Sequence, residues 1–130
     1  MSQVRSQRVA QAAFERVSSR VDGGAVEKLP DYRRFAQAFP TLIHTCGLAQ
    51  ATAFARAKGE EQGEVLDDLA KVLDLDDGKA LHEAAIGQGG QATEAKAALM
   101  SYLKLSRDAL FAATWIKRYA EALITSKAKP

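Results

Sequence analysis

Residues Gln91 to Ile124 read QATEAKAALMSYLKLSRDALFAATWIKRYAEALI, a run with neither proline nor glycine. Alanine, leucine, lysine and glutamate lose little side-chain freedom in a helix. At about 100° per residue, Ala92, Ala95, Leu99, Leu103, Leu110 and Ala113 line up as one stripe. The run therefore predicts a single long helix. Beyond Leu110 it turns apolar on nearly every side, with Phe111, Trp115, Ile116, Tyr119 and Leu123. A helix of that kind is central to its own domain or lies against another chain.

Upstream, the same period continues. From Gln3 to Arg20, Ala10, Phe14, Val17 and Val21 share one side, and Asp22-Gly23-Gly24 supplies a stop. Leu29-Pro30-Asp31 opens a second helix, with Pro30 where its missing N–H does no harm and Tyr32, Phe35, Ala36 and Phe39 inward. Pro40 is expected to break or kink that helix, leaving a short turn with Leu42 and Ile43 before Gly47. Leu48 to Lys58 reads as a third helix and Gly63 to Leu75 as a fourth, acidic one. Asp76-Asp77-Gly78 is a turn or N-cap for a short helix from Lys79 to Ile86, and Gly87-Gln88-Gly89-Gly90 reads as a loop. No segment alternates with period two. The expectation is an all-α, compact bundle of five to six helices with a long C-terminal helix, one domain spanning 1–130.

Composition narrows the setting. Apolar residues make up 47% of the chain while aromatics are only 7%, which suits close-packed alanine-rich helices. One cysteine, Cys46, allows no internal disulfide and fits a reducing cytoplasm. No uninterrupted apolar stretch serves as a secretory signal or a membrane span, so a cytoplasmic protein without membrane contact is expected.

Net charge is +2, but it is unevenly spread. Glu60 to Glu83 carries −7, including Asp67, Asp68 and Asp74, while the remainder carries +9. Such polarity suggests a cationic face for a polyanion and an anionic face for something else. Arg5, Arg8, Arg16 and Arg20 fall within about a 120° arc of the first helix, opposite its apolar side.

Catalytic constellations fail at their second residue. His82-Glu83 starts like a zinc-protease signature, yet Ile86 stands where the second histidine belongs. A calcium loop in register with Gly78 would need ligands at Leu73, Leu75 and Ala84. The glycines at 87, 89 and 90 have no strand before them and no Lys-Ser/Thr after. His44 and Cys46, two apart on a helix, diverge. The expectation is a protein that is not an enzyme, with no cofactor, no metal and no small-molecule substrate.

One constellation remains. Lys104, Arg107, Phe111, Trp115 and Arg118 fall within about an 80° arc of the last helix. Cations with rings between them suit a nucleic-acid backbone, where cations meet phosphates and rings stack. Lys117 projects instead onto the stripe of Leu99 and Leu110, where an ammonium must snorkel or find an anion. Periodicity alone fits equally well a core helix whose cations rim its apolar face.

Two segments carry a resemblance. The first is Leu29-Pro30-Asp31-Tyr32 through Phe39-Pro40-Thr41-Leu42-Ile43-His44-Thr45-Cys46-Gly47-Leu48-Ala49-Gln50-Ala51, then Phe54. The second is Tyr102-Leu103-Lys104-Leu105-Ser106-Arg107-Asp108-Ala109-Leu110, then Trp115-Ile116-Lys117-Arg118-Tyr119-Ala120-Glu121. Together they resemble the small helical subunit of the type III-B CRISPR effector, the Cmr complex, over about a third of the chain. Gly59 to Gly90 has no counterpart in the pattern, and Cys46 stands where a small polar residue is more usual.

The resemblance implies a non-catalytic subunit, stacked in several copies into an inner filament beside the guide–target duplex. Its partners would be other Cmr subunits, further copies of itself, guide RNA and target RNA. Candidate RNA contacts are Arg5, Arg8, Arg16, Arg20, Lys104, Arg107, Lys117 and Arg118. Candidate subunit contacts are Asp67, Asp68, Asp74, Phe111, Trp115 and Tyr119. The alternative is a helical adaptor that binds a partner protein through the apolar surface of residues 110–124.

Overall fold

The computed structural model describes residues 5–23, 26–87 and 95–124, all-α with six α-helices and no strand among them. The helices are α1 (Arg5–Gly23), α2 (Leu29–Cys46), α3 (Leu48–Lys58), α4 (Glu60–Val72), α5 (Gly78–Ala85) and α6 (Ala95–Leu123), with a 3₁₀ turn at Val26–Lys28 before α2. The expected loop at 88–90 and the stripe position Ala92 lie outside the described residues.

The long helix α6 packs against α2 and α1, and α4 closes the bundle from behind while also touching α3 and α5. α6 and α2 run antiparallel: Gln37 donates to Glu121 at 3.1 Å near one end, and the Tyr102 hydroxyl approaches Gly47 at the other. Gly47 holds φ +89° between α2 and α3, a conformation that disfavours any side chain, so Leu48 can begin a new helix at once. Asp77 caps α5 by accepting the Ala80 N–H at 2.9 Å.

Three sequence expectations are corrected. First, α2 does not stop at Phe39 but runs through Pro40 to Cys46. Proline removes one backbone bond, yet Tyr32, Phe35, Phe39 and Ile43 on both sides of it are buried in the core, so packing carries the helix across.

Second, the inner stripe of α6 is not the expected one. Leu99 and Leu103 are 55% and 48% exposed, and Met100 joins them at the surface. The buried face is Ala109, Ala112, Ala113, Ile116, Ala120 and Ile124, rotated by roughly 70° at 100° per residue. Alanines allow α1 and α2 to approach the axis closely, and this neighbourhood fixes the rotation; the larger leucines lie past its end. We expect Leu103→Ser to change stability by less than about 0.5 kcal/mol, and Ile116→Ala to cost about 2–5 kcal/mol, read from urea unfolding midpoints.

Third, α1 turns Val9, Ala13 and Val17 inward, while Phe14 is 44% exposed and Val21 only half-buried. At 100° per residue Arg20 falls inside that inward arc and Arg16 about 20° from its edge, and α4 supplies the reason.

Candidate nucleic-acid interface

The arginines of α1 meet the acids of α4. Asp68 is fully buried, and its carboxylate accepts from Arg16 Nε at 3.0 Å, from Arg20 Nε at 2.9 Å and Nη2 at 3.1 Å, and from the Tyr32 hydroxyl. Glu64 adds a second carboxylate to Arg20 at 3.6 Å. Burial pulls the Arg20 pKa down, but the hydrogen bond and charge of Asp68, helped by Glu64, more than offset it and leave that pKa raised. Burial first, and then the Asp68 charge, hold the Tyr32 hydroxyl well above the ordinary phenol range.

This network corrects part of the sequence reading. The expectation sets Arg16 and Arg20 against RNA, and Asp68 against a neighbouring subunit; all three instead hold α1 to α4. Asp67 is likewise occupied, its Oδ1 accepting the Gly78 N–H at 2.7 Å. A Cβ at Gly78 would come within 2.9 Å of that oxygen and of the Leu66 side chain, so the close approach requires glycine. Asp74 pairs with Arg8 at 3.4 Å, both well exposed, a surface contact of small energetic weight. The side chain of Arg5 lies outside the described residues.

His82 also has an internal task. The Thr52 hydroxyl donates to the Ala49 carbonyl at 2.9 Å and so accepts from His82 Nδ1 at 2.8 Å, which satisfies a fully buried polar group. No helix among the described residues is long and apolar enough to cross a membrane.

The outward face of α6 differs from α1. Arg107 and Arg118 are exposed and make no ion pair among the described residues. Lys104 pairs with Asp108 of its own helix at 2.9 Å while remaining mostly exposed. Phe111 is 40% exposed between these cations, and Trp115 is half-buried one turn on. Lys104 to Arg118 spans about 21 Å at 1.5 Å per residue. Lys117 stands apart, half-buried and one turn before Glu121, which faces α2.

The aromatic series continues across to α1. Trp115 stacks on Tyr119 with centroids 5.7 Å apart, and Phe14 meets Tyr119 edge-on at 5.4 Å. Sequence periodicity misses Phe14 as a member, because the pattern places it in the core. A separate apolar groove lies on the far side of α2, lined by Phe35, Ala38, Leu42 and Phe54, with Phe35 and Phe54 stacked at 6.2 Å.

Comparison with known proteins now decides the family. The family model for "CRISPR-associated protein (Cas_Cmr5)" matches residues 5–123. The chain belongs to the Cas_Cmr5 family. It is 41% identical over 121 residues to the Cmr subunit Cmr5 of the CRISPR system of Thermus thermophilus, covering 92% of this chain and 96% of that protein. The crystal structure of a CRISPR-associated Cmr5 family protein from the same organism superposes with a TM-score of 0.80 at 39% identity, covering 94% of this chain and 99% of that one. The two quoted segments are thus a sound guide to the family, and the match extends over the acidic α4 and α5 that they omit. Within this Cas_Cmr5 chain, the apolar surface expected on residues 110–124 divides: Ile116 is buried, Phe111 is exposed, and Trp115, Tyr119 and Leu123 are partly buried.

Proposed function

We propose that the chain is a non-catalytic small subunit of a type III-B CRISPR-Cmr RNA-targeting effector complex, stacked in several copies along the guide–target duplex. Its contact with the RNA backbone is the outer face of α6. The observation that carries this reading is the pair Arg107 and Arg118, solvent-facing and without an ion pair among the described residues, with Phe111 and Trp115 between them. Arg8, Arg16 and Arg20 of α1 are neutralised by acids; these two are not.

Single subunits with few phosphate contacts bind weakly, and copies in register along one strand gain through effective concentration. Partner subunits have surface to use as well. Leu99, Met100 and Leu103 form an exposed apolar patch at the start of α6, of the kind that marks protein contacts.

The test is binding of fluorescein-labelled single-stranded RNA to the full chain across a salt series. Two to three phosphate contacts predict a log–log slope of roughly −1.4 to −2.1. Binding that persists unchanged as salt rises would argue for an apolar adaptor instead.

A further inference from the structure

Two apolar features of the chain have complementary shapes. The first is convex. From Leu99 to Lys104 every residue of α6 but Tyr102 is exposed. At 100° per residue Leu99, Leu103 and Met100 fall within about a 100° arc, so they form one apolar knob near the start of the helix. The second is concave, the recess of about 760 Å³ on α2 and α3. Small residues of α2, Ala38, Thr41 and Thr45, share its lining with Leu42, Phe35 and Phe54, and small residues let a second helix axis come close. Of the charged groups that line it, Arg34 pairs with Asp31, and Lys58 lies 5.7 Å from the Phe54 ring centroid. An uncharged helix face meets mainly rings and methyl groups there. Within one chain the knob does not cover the recess, since Leu99, Met100, Leu103 and Phe54 all stay exposed. Among the described residues the other large exposed apolar side chains, Phe14, Val26, Ile86 and Phe111, stand singly in the sequence.

We propose that the recess between α2 and α3 takes the Leu99–Leu103 knob of a second copy of this chain. Leu99 and Leu103, spaced i and i+4, are the kind of anchors with which an apolar helix face enters a groove, and the pliable Met100 fills the irregular remainder. None of the three is charged, which suits a lining whose own charges are few. Knob and recess are different surfaces, so the contact is heterologous: a copy filled at its recess offers its own knob to the next, and a row of copies grows. The inference gives surfaces to the stacking proposed above and rests on that reading for the copies being brought together. A knob of little more than one turn covers less than a standard interface, so free chains associate weakly and gain from being held on one strand.

Covalent trapping reads such a weak contact. Cys46, the one cysteine of the chain, is exposed and lines the recess. The unaltered full chain therefore carries a thiol at the recess only, and a chain with Cys46→Ser and Met100→Cys carries one on the knob only. The two are mixed under mild oxidation, one of them tagged for size. We expect the mixed disulfide dimer in about tenfold excess over either symmetric dimer, the gain of a bound geometry over chance encounter. Ala38→Arg in the first chain, or Leu103→Asp in the second, is expected to bring the mixed dimer down to the symmetric level. Both positions are exposed, and unchanged circular dichroism shows that the loss is not unfolding.

A mixed dimer no more abundant than the symmetric ones, or one indifferent to both substitutions, would overturn the contact. An excess of knob-to-knob dimers would overturn it too, in favour of a closed pair. Salt-sensitive RNA binding by the same chains would in either case leave the α6 backbone contact standing. Mixed dimers in excess from chains that bind no RNA would keep the knob-and-recess contact and remove the backbone one.

Discussion

Asp68→Ala is expected to lower stability by about 3–5 kcal/mol, the range for breaking a buried ionic group by removing one partner. The carboxylate is 0% exposed and is the meeting point of Arg16, Arg20 and Tyr32. Without it the two arginines can swing toward water, being 34% and 25% exposed. The Tyr32 hydroxyl cannot, and is left buried without an acceptor. A urea midpoint, or the temperature at which far-ultraviolet circular dichroism is lost, measures the effect. Asp68→Lys, which would otherwise serve as a test of an acidic docking surface, should unfold the chain. A variant with near-wild-type stability would show that the network contributes nothing to the fold.

The same network sets an alkaline limit. The folded chain holds the Tyr32 proton well above the phenol's ordinary value, so it binds a proton that the unfolded chain has released. That contribution is complete below about pH 10, the unfolded value, and is lost as pH rises through the higher folded one. Tyr32→Phe should flatten this limb of a stability–pH curve while leaving its acid side in place.

Arg107→Glu combined with Arg118→Glu is expected to reduce RNA affinity more than tenfold near 0.1 M salt and to shrink the log–log salt slope by about 1.4, two phosphate contacts on a single strand. Thermal stability should hold, since both side chains are exposed and unpaired among the described residues. Arg16→Glu with Arg20→Glu should behave oppositely, losing stability because two carboxylates would confront Asp68. The contrast between these pairs separates an RNA face from a structural one. Unchanged affinity in the α6 pair would remove that helix from any RNA contact.

What can be read without coordinates is whatever depends on local backbone chemistry. The all-α class, the limits of α3, the Asp77 cap and the C-terminal end of α6 follow from propensity, period and turn residues, each acting within a few positions. The same holds for the α6 cations: they share an arc of one helix, and the helical repeat alone places them together.

What only tertiary structure decided was the rotation of each helix and the fate of each charge. An amphipathic pattern with arginines inside it does not say which side faces in, because an arginine can be buried if an acid from elsewhere meets it. That acid is Asp68, 48 residues from Arg20 in sequence, and it ties Arg16 and Arg20, both part-buried, to α4. Pro40 passes through α2, Leu99 and Leu103 come to the surface, and Phe14 joins Tyr119 for the same reason. The neighbours that set the free energy of those residues belong to other helices, and no local period encodes them.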